Sequence, residues 1–491
     1  MMRHQALPRA DWMSWTLPGR PWVDFEWLPQ MLYSAVFLRW GMTGLWLLKA
    51  GIIAVSGLVF LKLLERRGVP KALWAGAYLL WAAAVSHQSD LRPDAFSLIA
   101  FTAQLAYLGA ADGGQSGDAM RHGVPALAIV AECLGFASFY SLWADCHAGF
   151  AIGLAALGIH FFWRLVFKDK AAIRLSGIRL AAAALGSMLN PYGLALWRVI
   201  IEHLSDSVQL RRSVLEWRPP PLDRPLWLLA ALAALVAARR FLIKRQGGGV
   251  RDWSDLSLMA LVGLLAAGSR RLEPYFAVST LPAVGAWLGE DEPALGRARR
   301  PLVFPALLAG FMAFILATTR APWLSGRSLK PFDSPFICRR AAEWLRQNER
   351  PLGCPPAFHL WGWGGYLGWR LPGFKIFADG RYIFHGLNGE TSRAARNPES
   401  WARFLDRWRP HLALLPNLPL AYGGKPFYRA FMPREDWALV YWDSKALVFV
   451  LRRAAPPDWL RRHEYGEPGD DRARHAAELV RAYSAIPFSL K

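Results

Sequence analysis

Between residues 42 and 318 the chain alternates long apolar blocks with short polar connections. The blocks run 42–64, 72–87, 94–111, 123–143, 148–167, 175–190, 226–243, 253–268, 272–288 and 302–318. A helix needs about 20 apolar residues to cross the hydrocarbon core of a bilayer, and roughly 17 suffice in shorter cases. The pattern therefore predicts ten membrane-spanning helices.

After Arg320 the texture becomes that of an ordinary globular domain. Helical periodicity predicts a helix over 336–347, and a second over 399–408. Residues 359–367 form a glycine- and tryptophan-rich turn. Residues 375–381 read as a strand ending in the turn Asp379-Gly380-Arg381, and 411–415 as another strand. Residues 437–441 and 446–451 read as a hairpin around Asp443-Ser444-Lys445. The expected fold class is an α-helical polytopic membrane protein with a small C-terminal α/β domain. It divides into a segment 1–41, a membrane domain 42–320 and a domain 321–491.

Composition supports this division. The 491 residues are 54% hydrophobic and carry a formal charge of +21. So basic a chain raises the question of nucleic acid. Most of its Lys and Arg, however, lie in the short loops between apolar blocks, where the positive-inside rule accounts for them. No nucleic-acid partner is expected. Many of the 25 Trp lie near block ends, as in an interfacial aromatic belt. The first block ends in Glu65-Arg66-Arg67 rather than in a small-residue cleavage site, so it does not read as a signal peptide. Loops on one side hold sixteen Lys and Arg and those on the other hold eight. The richer side is cytoplasmic. Residues 1–41 and 319–491 then face outward, which places the C-terminal domain on the extracytoplasmic side of an inner membrane. Some forty outer residues precede the first span, so the expectation is that a first helix is missing from this chain. Of four cysteines, Cys338 and Cys354 share the outer domain and read either as a disulfide or as two buried thiols. No Cys/His spacing suggests zinc.

Ionisable residues collect in the outer loops. The first carries Asp11 and Asp24-Phe25-Glu26-Trp27, and the next carries Asp90-Leu91-Arg92-Pro93-Asp94. The third reads Trp143-Ala144-Asp145-Cys146-His147-Ala148-Gly149. The fourth runs from Asn190-Pro191-Tyr192-Gly193 to Glu216-Trp217, and the fifth holds Arg270-Arg271. Each group has a plainer reading. Asp24 and Glu26 suit a solvated loop, and Arg92 with Asp94 a pair at a helix start. Asp145 suits a helix cap, Asn190-Pro191 a helix stop, and Arg270-Arg271 an interfacial anchor. His147 alone is more often structural. Asp379 and Arg381 either face a membrane cavity or pair within their own turn. Their collection on one side favours a shared polar cavity, since ionisable groups at membrane depth are costly. A carboxylate there can act as a base on a hydroxyl or hold a hard divalent cation. Arginines bind phosphate bidentately. Together they point to transfer from a lipid-linked phosphate donor.

The motifs Gly19-Arg20-Pro21-Trp22-Val23-Asp24-Phe25-Glu26-Trp27, Leu91-Arg92-Pro93-Asp94, Trp143-Ala144-Asp145-Cys146-His147-Ala148-Gly149 and Asn190-Pro191-Tyr192-Gly193 occur in this order. Glu216-Trp217, Arg270-Arg271, Trp363-Gly364-Gly365-Tyr366 and Asp379-Gly380-Arg381 follow. The series resembles bacterial members of the GT-C glycosyltransferase superfamily, of the kind similar to dolichyl-phosphate-mannose protein mannosyltransferases. Asp145, Ala148 and Asp94 stand where those proteins carry Asn, Gly and Gln. The resemblance implies a GT-C membrane fold, a polyprenyl-phosphate sugar donor, and inversion at the anomeric carbon. It implies a catalytic acid in the first outer loop, which makes Asp24 and Glu26 the candidates and Asp11 the third.

The resulting assignment gives catalysis to Asp24 and Glu26, and donor phosphate to Arg92, Arg270 and Arg271. The acceptor or cavity wall goes to Asp94, Asp145, His147, Asn190, Tyr192, Glu216, Trp363, Tyr366, Asp379 and Arg381. A divalent metal, Mg or Mn, would be held by Asp24, Glu26 and His147. Two rivals stand beside this enzyme: a non-catalytic relative that binds or organises envelope lipids, and a transporter. The transporter ranks last, because no inverted repeat is present and Glu132 is the one charged residue deep within a span.

Overall fold

The computed structural model describes residues 6–86, 90–113, 126–168, 170–205, 211, 214–222, 225–243, 248–291, 337–348, 352–353, 355–418 and 421–465. The chain forms two compact units. One comprises Met1–Leu7, Val23–Glu202 and Glu216–Leu329; the other comprises Pro8–Trp22, His203–Leu215 and Lys330–Lys491.

The first unit is helical. Its helices are α1 (Trp27–Arg66), α2 (Lys71–Ser86), α3 (Asp94–Gly113), α4 (Ala126–Cys146), α5 (Phe150–Val166), α6 (Lys170–Met188), α7 (Ala195–Ser205), α8 (Pro225–Ala238), α9 (Val250–Gly268) and α10 (Glu273–Asp291). Every apolar block up to residue 291 coincides with a helix, and α7 is an extra one in the fourth outer loop. The tenth block, 302–318, lies outside the described residues, as does Cys354 of the expected disulfide; Cys338 is buried. Among the described residues, Trp27–Arg66 and Ala126–Cys146 are long and apolar enough to cross a membrane by themselves, and Phe150–Val166 is a shorter apolar helix.

Helix α1 departs from expectation, because 27–41 reads as loop in the sequence but is helical. At Gly41 the backbone turns to φ 60°, ψ −150°, a region open essentially to glycine alone. The ring of Tyr33 lies 6.4 Å from Phe96 at the start of α3. Ile53 reaches the same helix start, sharing a groove with Asp94 and Ala95. Twenty residues of straight helix would span about 30 Å. The break at Gly41 therefore folds the two halves of α1 back towards each other.

Small residues and paired charges hold the bundle. A Cβ at Gly186 would lie 2.3 Å from the carbonyl oxygen of Ala137, so α4 and α6 pack backbone to backbone. Glu132 receives both Nε and Nη2 of Arg179, at 3.0 and 2.9 Å, and the hydroxyl of Tyr107. It is a packed ion pair, not a lone charge within a span. At the other helix ends Arg67 pairs with Asp255, and Arg240 bridges Asp252 and Glu290.

The second unit is built on a four-stranded sheet. Its strands are β1 (Ala357–His359), β2 (Leu412–Pro416), β5 (Trp437–Trp442) and β6 (Ala446–Leu451), in the order β1-β2-β6-β5. A short ribbon of β3 (Ala421–Tyr422) and β4 (Lys425–Pro426) lies between in sequence. β1 runs parallel to β2, and the other pairs are antiparallel. The expected helix at 399–408 is Pro398–Trp408, N-capped by Asn397 accepting from the Ser400 amide. The expected helix at 336–347 is Arg339–Asn348. Residues 375–381 differ from expectation. They form no regular strand, and Ile376 makes an isolated bridge to Ser14.

Residues Pro8–Trp22 form a strap within this unit. Trp15 Nε1 donates to the Ala357 carbonyl at 3.1 Å, and Thr16 Oγ1 to that of Phe377 at 2.5 Å. Lys375 Nζ donates to the Trp12 carbonyl at 2.7 Å. Arg381 fastens the strap through Asp11, and lies 4.7 Å from the ring centre of Trp22.

Candidate functional site

The acidic run Asp24-Phe25-Glu26 leads directly into α1, with Glu26 as its N-cap residue. That position turns the run inward. The Trp27 indole donates to Asp145 Oδ1 at 3.0 Å, and Gln30 Nε2 to Asp24 Oδ1 at 2.9 Å. Phe25 packs 6.3 Å from the ring of His147. Asp24, Asp94 and His147 are all buried, and the Glu26 side chain keeps 28% of its exposure.

Glu26 Oε1 lies 3.9 Å from His147 Nε2. The amide of Gly149 donates to His147 Nδ1 at 3.1 Å, and Ser97 Oγ lies 3.0 Å from the same nitrogen. Nδ1 is thus an acceptor, and the single proton of the neutral ring is assigned to Nε2, on the Glu26 side. Arg271 Nη2 lies 3.2 Å from Nε2. Both nitrogens then carry protons, so this is a close approach of a cation rather than a shared hydrogen. The Arg271 guanidinium also lies 5.8 Å from the ring centre of Trp217. Gly149 cannot carry a side chain, because a Cβ there would be 2.5 Å from Ser97 Oγ and 2.9 Å from the Tyr275 hydroxyl.

Burial pushes the Glu26 carboxyl up to about 7. Arg271 opposes that rise, and the neighbouring Asp24 and Asp94 add to it. A carboxyl whose proton affinity is raised toward neutrality can both accept and return a proton.

Arg92 is already engaged, with Nη1 2.5 Å from Glu216 Oε1. The amide of Arg270 donates to the Arg218 carbonyl at 3.1 Å, joining the α9–α10 connection to the stretch before α8. The structure therefore brings Asp24, Glu26, His147 and Arg271 into one cluster. Asp94 and Arg92 are electrostatically coupled to it, and Asp145 is tied to it through Trp27.

Other assigned residues are used locally. Asn190 Oδ1 accepts from the Tyr192 amide at 2.9 Å, and its Nδ2 donates to the Ser187 carbonyl at 2.9 Å. This is the helix-stop reading, with Gly193 at φ 54°. Trp363, Tyr366, Asp379 and Arg381 belong to the second unit. Trp363 is 1% exposed and part of its core, with Tyr366 packed against that core. Arg381 Nε contacts both Asp379 oxygens, at 2.8 and 2.9 Å, and Nη1 contacts Asp11 at 2.8 Å. That is the turn pairing rather than an open cavity wall. Asp11, the third candidate acid, is spent in this pair. The two glycine motifs of this unit dock on one another, because a Cβ at Gly364 would lie 1.9 Å from the Ala378 carbonyl oxygen.

The expected cation site at Asp24, Glu26 and His147 does not fit. Among the described residues, no three His, Cys, Asp or Glu side chains group as a metal site requires. His147 Nδ1 is taken by the Gly149 amide, and Arg271 brings positive charge against Nε2, where a second cation would be repelled. Gln30, Tyr33, Ser97 and Tyr275 surround the cluster without any sequence signal beyond helical spacing from Glu26 to Gln30 and Tyr33.

No protein-family model matches the chain, and no curated protein sequence does. Among solved structures it is similar to the archaeal oligosaccharyltransferase AglB from Archaeoglobus fulgidus, in complex with an inhibitory peptide and a dolichol-phosphate. The TM-score is 0.51 at 14% identity, covering 84% of this chain and 64% of that one. The apo form of the Archaeoglobus fulgidus oligosaccharyltransferase gives a TM-score of 0.51 at 13% identity over the same shares. The chain spans somewhat less than two thirds of the length of these proteins. At such identity the likeness carries the fold alone, and that fold is of the GT-C type.

Proposed function

We infer that the chain is a multi-pass membrane glycosyltransferase. It moves a sugar from a polyprenyl-phosphate-linked donor to an acceptor in the cell envelope, at the outer face of a bacterial inner membrane. The observation that carries this reading is the half-buried Glu26 carboxyl 3.9 Å from His147, with the Arg271 guanidinium 3.2 Å from the same ring nitrogen. The helices at the apolar blocks, the asymmetry of loop charge and the GT-C-type fold support the membrane setting.

In this reading Glu26 takes the proton of the acceptor hydroxyl as that oxygen bonds to the anomeric carbon. The bond from that carbon to the donor phosphate oxygen breaks, and the configuration inverts. Arg271 neutralises the departing phosphate. Arg92 and Arg270 extend the same positive field, while Asp24, held by Gln30, keeps the Glu26 proton affinity high. His147 lies against both the Arg271 guanidinium and the Glu26 carboxyl. Side chains alone carry these steps.

The test is a transfer assay on the purified chain in lipid, using radiolabelled polyprenyl-phosphate sugars and an envelope extract. Transfer that falls at least about a hundredfold in Glu26→Gln supports the assignment. Full transfer in both Glu26→Gln and Asp24→Asn overturns it. Absence of transfer with every donor favours instead a protein that binds envelope lipids.

A further inference from the structure

Behind His147 lies a set of donors whose direction is fixed. The hydroxyl of Ser97, on α3, is 3.0 Å from His147 Nδ1, and the amide of Gly149, just before α5, is 3.1 Å from the same nitrogen. A backbone N–H only donates, so Nδ1 must offer its lone pair. On its other side the Ser97 oxygen receives the Trp143 indole N–H at 2.8 Å. An indole also only donates. The single hydroxyl proton of Ser97 is therefore passed on to Nδ1. Groups that can only donate stand at the head of both branches, so the chain from Trp143 through Ser97 to His147 runs one way. Ser97 and Trp143 are both buried, which keeps solvent from either group.

Close packing holds the head of the chain. A Cβ at Gly153, on α5, would lie 2.6 Å from Cη2 of Trp143 and 2.7 Å from the Tyr140 hydroxyl. Tyr140 donates to Gln104 Oε1, and Gln104 Nε2 donates to the Gly153 carbonyl at 2.9 Å. Helices α3 and α5 thus close on the indole carried by α4, and glycine leaves it room. The result is felt at the other ring nitrogen. With Nδ1 committed as acceptor, the proton stands on Nε2, which lies 3.9 Å from Glu26 Oε1 and 3.2 Å from Arg271 Nη2. An imidazole that binds a metal is held the other way round. Its outer N–H is given to an acceptor behind it, and its lone pair faces the cation. Here the surrounding groups donate into the ring. We propose that Trp143 and Ser97 are positioning residues that make His147 a permanent N–H donor toward the candidate site, neither a cation ligand nor a base. The use of that donor rests on the glycosyltransferase reading, in which the Nε2–H is offered to a substrate oxygen. The direction of the chain does not.

The measurement is nitrogen NMR of the full chain in detergent, with isotope-labelled histidine and the His147 signals assigned by their loss in His147→Gln. Protonated and bare imidazole nitrogens give well-separated signals. The expected spectrum has the proton on Nε2 and a hydrogen-bonded lone pair on Nδ1. In Ser97→Ala the Nδ1 signal shifts toward that of a weakly bonded nitrogen, and Gly153→Ala, which displaces the indole, moves it the same way. Added zinc ion leaves the Nε2 proton in place. A proton found on Nδ1 overturns the proposal. So does an Nδ1 signal that Ser97→Ala leaves unmoved, or an Nε2 proton lost to zinc. Circular dichroism reports whether each variant is folded. If Ser97→Ala does not fold, Ser97→Cys keeps the shape with a weaker donor and gives a smaller shift of the same sign. In the transfer assay Ser97→Ala lowers turnover about tenfold, with Ser97→Cys in between; full turnover in Ser97→Ala overturns the positioning role. The spectra read no transfer, so failure of the glycosyltransferase reading is told apart from failure of this one.

Discussion

Burial pushes the Glu26 carboxyl up to about 7, and the guanidinium of Arg271 pulls it the other way. A base must be ionised to work, so the transfer rate should rise with pH through about 7 and level off above it. Arg271→Gln removes the stabilising cation and should move that rising limb to higher pH, besides lowering the plateau. A pH–rate profile of both proteins checks the two statements together. Stability runs in the opposite sense. A carboxyl whose folded pKa exceeds its unfolded value of 4.5 contributes stability that is fully present below 4.5 and lost as pH rises through 7. Glu26→Gln should therefore raise the thermal midpoint at pH 8, by the equivalent of about 3 kcal/mol, and change little at pH 4.5. At this scale the sequence was readable in part. Acids, a histidine and arginines in outer loops identify Glu26, Asp24, His147 and Arg271 as a group. Which arginine faces the acid, and that Asp11 is spent on Arg381, depend on folding that loop spacing does not encode.

Glycines decide two elements. Gly41 holds φ 60° at the break in α1, which an L side chain adopts only at a cost of about 1–3 kcal/mol. Gly41→Ala should straighten the helix and carry Tyr33 away from Phe96. Spin labels carried by Tyr33→Cys and Phe96→Cys should report a longer separation once Gly41→Ala is added. Gly364 is constrained by space, with the Ala378 carbonyl 1.9 Å from where its Cβ would stand. Gly364→Ala should destabilise the second unit by about 3 kcal/mol or more, seen as a lower midpoint in thermal unfolding. The apolar blocks were legible because a helix of that length and hydropathy has few alternatives. The helical character of 27–40 was not, because its apolar residues are interrupted by Gln30 and Arg39 and by the break at Gly41. Residues 375–381 read as a strand from Ile376 and Phe377, yet the partner of Ile376 is Ser14, more than 350 positions earlier.

At the scale of the whole molecule, each unit borrows from distant stretches of chain. The strap Pro8–Trp22 belongs to the sheet-bearing unit, whereas the residues that follow it belong to the helical one. Arg381 is its main fastening, with the side chain of Asp11 wholly buried and that of Arg381 12% exposed. Removing one partner of a buried pair costs about 3 kcal/mol. Arg381→Ala should open the strap and speed tryptic cleavage at the exposed Arg9 on the order of a hundredfold, while Arg381→Lys gives an intermediate rate. A peptide map over time reads both. This division could not be inferred from the sequence, where 1–41 reads as one segment ahead of the first long apolar block.

The electrostatic effect of Arg271 on Glu26 has a consequence for the birth of the protein. The two residues are about 245 positions apart. At roughly 5–20 residues per second, a ribosome that has made Glu26 needs on the order of ten to fifty seconds more to make Arg271. Throughout that interval the nascent chain carries the acid without the cation that eases its ionisation in the folded protein. On the proposed reading the site is complete only once Arg271 has been made, so partly synthesised chains transfer no sugar.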